Sequence, residues 1–170
     1  GYSSRNMAAF GIPAFMFLMA VMVNVIYRID PKRENISRSR ELKEITRWFV
    51  VLMAVMVQFV IVLSGIGMDI NVGSMVSLPI ALMFVAAGNY LPKCRQNYTM
   101  GIKLPWTLAD EDNWNRTHRM AGYVWTAGGI LMLIMGFFHL ASLFFLVLMA
   151  MVLIPSVYSY LIYRKKLKGI

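Results

Sequence analysis

Five apolar blocks, each long enough to cross a bilayer, govern what this chain can fold into. They run from Met7 to Tyr27, Thr46 to Ile66, Val72 to Tyr90, Met120 to Phe138 and Ser142 to Tyr163. As helices they measure about 28–33 Å, against a hydrocarbon core of ~30 Å. In lipid a spanning backbone satisfies its N–H and C=O groups only as a helix or in a closed barrel, and the blocks are about twice as long as barrel strands. The expected fold is therefore an all-α integral membrane protein, a bundle of five transmembrane helices with a structured cytoplasmic loop. Composition agrees, with 59% hydrophobic residues and mean hydropathy +0.61 against roughly 45–50% apolar residues in soluble domains. Pro13, Pro79 and Pro155 fall inside three blocks, which membrane helices tolerate when neighbouring groups satisfy the freed carbonyls.

The net charge of +9 acquires meaning from where the basic residues sit. Arg28, Lys32, Arg33, Arg38, Arg40, Lys43 and Arg47 follow the first block; Lys93, Arg95, Lys103, Arg116 and Arg119 follow the third; Arg164, Lys165, Lys166 and Lys168 follow the fifth. Of the 17 Lys and Arg only Arg5 lies elsewhere. Alternate connections share a side, so the positive-inside rule places loop 28–45, loop 91–119 and tail 164–170 in the cytoplasm of a multi-pass plasma-membrane protein, with the N-terminus outside. The first loop's charges suit anionic membrane lipid, and direct nucleic-acid binding is not expected. Residues 1–6 read as the end of an extracellular segment. A chain without initiator Met, with its N-terminus outside and no visible signal peptide, points to an earlier membrane helix and a six-span parent. The lone Cys94 excludes an intrachain disulfide.

The third connection is much longer than a turn between helices requires, and long loops in compact folds are usually functional. Pro92 ends the preceding helix, Gly101 and Pro105 punctuate an extended stretch, and Thr107 suits a helix N-cap with Asp110 as a weak capping-box partner. The pattern predicts a short amphipathic helix from Leu108 to about Arg119, carrying Leu108, Glu111, Asn115 and His118 on one side. Trp106 and Trp114 would sink toward the membrane interface. Glu111 and His118 could share a metal, but one His with scattered carboxylates specifies such a site weakly, and the plainer reading is a hydrogen-bonded surface helix. No metal or other cofactor is expected.

Inside the spans no Asp, Glu, Lys or Arg lies mid-membrane, which disfavours the ion and proton sites of coupled transporters. Asn24, Gln58 and Thr126 read as interhelical hydrogen-bonding groups, and Ala86, Ala87, Gly88, Gly128 and Gly129 as places of close helix approach. The 15 methionines read as flexible packing. There is no nucleophile–base arrangement, phosphate-cradling glycine loop or metal-ligand set, so the chain does not read as an enzyme.

The run Gly88-Asn89-Tyr90-Leu91-Pro92-Lys93, then Asn97, then Gly101-Ile102-Lys103-Leu104-Pro105-Trp106-Thr107-Leu108, then Trp114, Thr117-His118-Arg119 and Gly122 resembles the signature of the SdpI-type immunity protein family. The resemblance implies binding roles for Gly88, Asn89, Pro92, Lys93, Asn97, Gly101, Pro105, Trp106, Thr107, Trp114, Thr117, His118 and Arg119. It also implies an additional N-terminal helix, immunity to a membrane-active peptide toxin as the function, the toxin as a partner, and a cytoplasmic repressor as a further partner. A small membrane transporter or an accessory subunit of a larger membrane complex would fit the same five short-looped helices.

Overall fold

The computed structural model describes residues 7–69, 71–138, 140 and 143–168. The expected extracellular segment at 1–6 and the start of the fifth block at Ser142 lie outside the described residues. A π-helical turn, Met7–Gly11, leads into α1 (Ile12–Ile29); α2 (Arg33–Arg38) and α3 (Arg40–Gly65) follow, then α4 (Val72–Tyr90) and a 3₁₀ turn (Leu91–Lys93). Next come α5 (Pro105–Ala109), α6 (Glu111–Phe137) and α7 (Phe144–Leu167). Five of these helices are long and apolar enough to cross a membrane, so this is an all-α multi-pass membrane protein. In space they neighbour one another in the order α1, α3, α4, α6, α7.

One sequence expectation is corrected. A short helix at Leu108–Arg119 followed by a separate span at 120–138 is instead a break and one long helix. Pro105, pre-set for a first helical position, starts α5 two residues before Thr107. The backbone extends at Asp110 (φ −136°), whose side chain accepts the Asp112 N–H at 3.0 Å and caps α6. Glu111 and Asp112 complement the positive helix end, and nothing then interrupts α6 before Phe137.

Burial singles out the centre of the bundle. A third of the apolar window in α4 and in α6 is buried, against 6% in α1 and α3. Glycines make this possible. A Cβ on Gly129 would stand 2.8 Å from the backbone nitrogen of Val85 and 2.9 Å from the carbonyl oxygen of Ala81; one on Gly88 would stand 2.6 Å from the backbone nitrogen of Thr126. The α4 and α6 backbones thus approach as closely as small residues allow, the usual basis of helix association in lipid. Gly128, the neighbour of Gly129, serves the other side, where Met151 of α7 occupies the space a Cβ would need.

Pro155 removes a backbone donor from α7 and leaves the Met151 carbonyl without its helical partner. The Trp125 indole nitrogen of α6 donates to that carbonyl at 3.0 Å, so the proline both frees an acceptor and directs the contact that satisfies it. Asn24, expected to bond between helices, instead donates to Ala20 O in its own helix at 2.8 Å.

Two stability outcomes follow, both read from unfolding midpoints in mixed detergent micelles. Gly129→Ala lowers stability by about 1–3 kcal/mol, because the obstacle is backbone and the helices must part, whereas Gly65→Ala, with open space around it, stays near wild type. Trp125→Phe costs about 1 kcal/mol by stranding the Met151 carbonyl. The cost shrinks in a Pro155→Ala background, where a main-chain N–H again reaches that oxygen.

Candidate functional site

Residues 91–110 fold into a cap over one end of the bundle, built around Trp114 and His118. Both side chains are fully buried on the first turns of α6, their rings stacked 3.9 Å apart. The Trp114 indole donates to Cys94 O at 2.8 Å, tying the start of the loop to α6. Ile102 N–H donates to His118 Nε2 at 3.0 Å, while His118 Nδ1 lies 2.8 Å from Trp114 O. A carbonyl only accepts, so Nδ1 carries the proton, Nε2 is bare, and the imidazole is neutral. Gly101 makes this possible: its φ of +93° is readily adopted only without a side chain, and a Cβ there would land on His118 Nε2.

The rest of the loop is folded by its own amides and hydroxyls. Asn97 Oδ1 accepts from Thr99 N (2.9 Å) and Met100 N (2.6 Å), an Asx turn. Its Nδ2 donates to Arg95 O at 2.7 Å. Gln96 Nε2 donates to Thr107 O and Leu108 O. The Thr107 hydroxyl accepts from Leu104 N at 2.9 Å and donates to Ile102 O at 2.8 Å. Thr117 donates to Asn113 Oδ1 at 2.9 Å.

Two other parts of the chain hold the cap down. From the first loop, buried Asp30 accepts from Lys32 N, Tyr98 N (3.0 Å) and Thr99 Oγ1 (2.5 Å). Asn35 Nδ2 donates to Gln96 O at 2.7 Å, Ser39 Oγ accepts from Arg95 N at 3.1 Å, and Lys32 Nζ bonds Gln96 Oε1. Tyr27, Ile36 and Leu42 close the same core as Leu91, Cys94, Met100 and Trp114. From α7, Ser159 Oγ accepts from the Trp106 indole at 2.5 Å and Ser159 O from Asn113 Nδ2 at 3.1 Å. Trp106 also stacks on Tyr163 and meets Tyr160 edge-on. Lys166 pairs with Asp110 and Asp112, and its ammonium beside Asp110 holds that carboxyl below the usual range.

The expected site residues divide into two groups. Asn97, Thr107, Trp114, Thr117 and His118 are buried and bonded within the cap, Gly101 makes room for it, Gly88 instead lets α4 approach α6, and half-buried Trp106 anchors the cap to α7. Asn89, Pro92, Lys93, Pro105 and Arg119 are exposed. The structure corrects two details. Trp114 lies inside protein rather than at the interface. Glu111 and Asn115 face outward while His118 faces in, because the buried face of α6 runs through Asn113, Trp114, Thr117, His118, Ala121 and Gly122. Among the described residues no three His, Cys, Asp or Glu side chains gather as a metal site. Sequence reasoning missed Asp30, Asn35, Ser39, Gln96, Asn113 and Ser159, whose roles depend on partners up to 69 residues away.

The profile of the SdpI/YfhL protein family matches residues 93–159, a segment that reaches from the 3₁₀ turn to the serine on which Trp106 and Asn113 converge. Immunity protein SdpI of Bacillus subtilis (strain 168) is 24% identical over 168 residues, covering 98% of this chain and 79% of that protein. The chain is thus similar to the SdpI-type immunity proteins, by family profile over residues 93–159 and by sequence along most of its length. No solved structure matches it. The start of the matched segment, residues 93–110, lies within the folded cap.

Burial pushes the Cys94 thiol up to about 11, against hydrogen bonds from Asn97 and Ser39 that pull it down. A raised thiol contributes stability that is complete below its unfolded value and is lost as pH rises through the folded one. Maleimide labelling of Cys94 is accordingly slow in the folded protein at pH ~7–8, and labelling and unfolding rise together at alkaline pH. Ring ¹⁵N shifts of His118 identify a protonated Nδ1 and a bare Nε2 at neutral pH.

Proposed function

We propose that this protein is a membrane immunity protein that binds or neutralises a membrane-active peptide toxin. The observation that carries the reading is the alignment with immunity protein SdpI along 98% of the chain, joined to a signature segment whose buried residues build one rigid cap. The cap supplies a fixed platform: its interior is fully bonded, while Asn89, Lys93, Pro105 and Arg119 remain exposed on its rim and beside it. In this reading the cap and the basic tail face the cytoplasm, following the distribution of Lys and Arg. Toxin contact takes place within or outside the bilayer, and the cap's cytoplasmic surface is where a repressor protein would be held. The exposed signature residues are the contact groups and the buried ones position them.

The test is survival of a sensitive bacterium expressing the gene, challenged with peptides secreted by the source strain. The wild-type gene protects. Trp106→Ala, which frees the cap from Ser159 and the α7 tyrosines, loses most of that protection at unchanged membrane abundance. Absence of protection by the wild-type gene against every secreted peptide would overturn the reading.

A further inference from the structure

An open groove of about 540 Å³ lies along the α4–α6 crossing, with Asn89 and Arg119 among the residues at its polar end. Arg119, Tyr123, Ala127 and Ile130 follow one another along its wall on α6, so the guanidinium level and Ile130 stand about 16 Å apart along the helix axis. Gly88 and Gly122 contribute no side chains to it. The groove therefore changes from cationic and amide-bearing to apolar along its length. Tyr123 is 71% exposed and Ile130 47%, as befits a surface facing lipid. The polar end is chemically unfinished: unlike the bonded residues of the cap, neither Asn89 nor Arg119 has a hydrogen-bond or ion-pair partner among the described residues. A cation at the rim of the hydrocarbon without a counter-ion attracts anionic headgroups, and bonds from guanidinium to phosphate are among the strong ones.

We infer that this groove binds one anionic phospholipid, with its phosphate on Arg119 and Asn89 and one acyl chain lying along α6 past Tyr123 and Ala127 to Ile130. The charge of the polar end selects the headgroup, and the length of the apolar wall fits a chain running parallel to the helix. The site is separate from the basic first loop, whose Lys32 and Asn35 are engaged in holding the cap.

The experiment is native mass spectrometry of the purified chain titrated with phosphatidylglycerol or phosphatidylcholine. The wild type retains one phosphatidylglycerol in preference to phosphatidylcholine by about tenfold, the size of one charge-assisted hydrogen bond. Arg119→Gln abolishes the preference, Ala127→Leu lowers retention of both lipids by filling the apolar half, and Arg40→Gln, an exposed cation of α3, changes neither. Equal retention of the two lipids by the wild type overturns the proposal, as does a preference that survives Arg119→Gln or is lost equally in Arg40→Gln. Unchanged lipid retention in Arg119→Gln combined with lost toxin protection would assign the groove to a peptide and likewise overturn it. Thermal midpoints of the variants identify any that misfold, and Arg119→Gln, a surface change, is decisive without Ala127→Leu.

Discussion

The near-contact of the α4 and α6 backbones is the constraint on which the rest of the molecule depends. Lipid tails are as apolar as the helices they surround, so burial of apolar area does not hold two spans together as it would in water. Proximity must supply the attraction, and here Gly88, Gly122 and Gly129 let main chain meet main chain. This crossing sets where the polypeptide leaves α4 at Tyr90 and where it enters α6 at Glu111. The cap spans the gap between those points, so its shape follows from the angle and depth of a contact made inside the membrane. The outer helices are added to this pair, with α7 resting on the Gly128 side of α6 and α3 on α4.

The cap shows how a polar segment can be rigid at a membrane boundary. Asp30, Asn97, Thr107, Asn113, Thr117 and His118 are buried, and each is bonded to backbone or to another side chain of the chain itself. Satisfied networks of this kind specify one arrangement, because any alternative leaves a buried donor or acceptor unpaired. The neutral His118 is typical of the whole: a charged imidazole would set a donor against the Ile102 N–H.

The spans were legible because their signal is local. Block length and apolar content, read within 20 or so residues, announced the helices. Their lengthening into the loops followed from caps: the continuation of α6 back to Glu111 turned on the extended backbone at Asp110, where Thr107 had offered an equally good local signal. The signature residues were found as a group, but their division into interior and rim was not. Trp114 and Trp106 look alike in sequence, yet one is sealed among Cys94 and His118 and the other reaches across to Ser159. The clamp by Asp30, Asn35 and Ser39 was invisible for a related reason. A lone Asp after a membrane span has many ordinary explanations, and its partners Tyr98 and Thr99 are 68 and 69 residues further on. Local patterns describe elements; pairings across such distances appear only when the elements are packed.

That separation also imposes a sequence of events on the making of the protein. Asp30 leaves the ribosome long before Tyr98 and Thr99 exist, so α1 and α3 are made while the carboxylate between them still lacks these two partners. Only once the segment beyond α4 is synthesised can the earlier half be fastened to the later one. Trp106 and Asn113 then wait for Ser159, two-thirds of the way along α7. The cap is thus fastened to the α1–α3 connection before it is fastened to α7, and a chain halted before α7 would carry a cap gripped on one side alone.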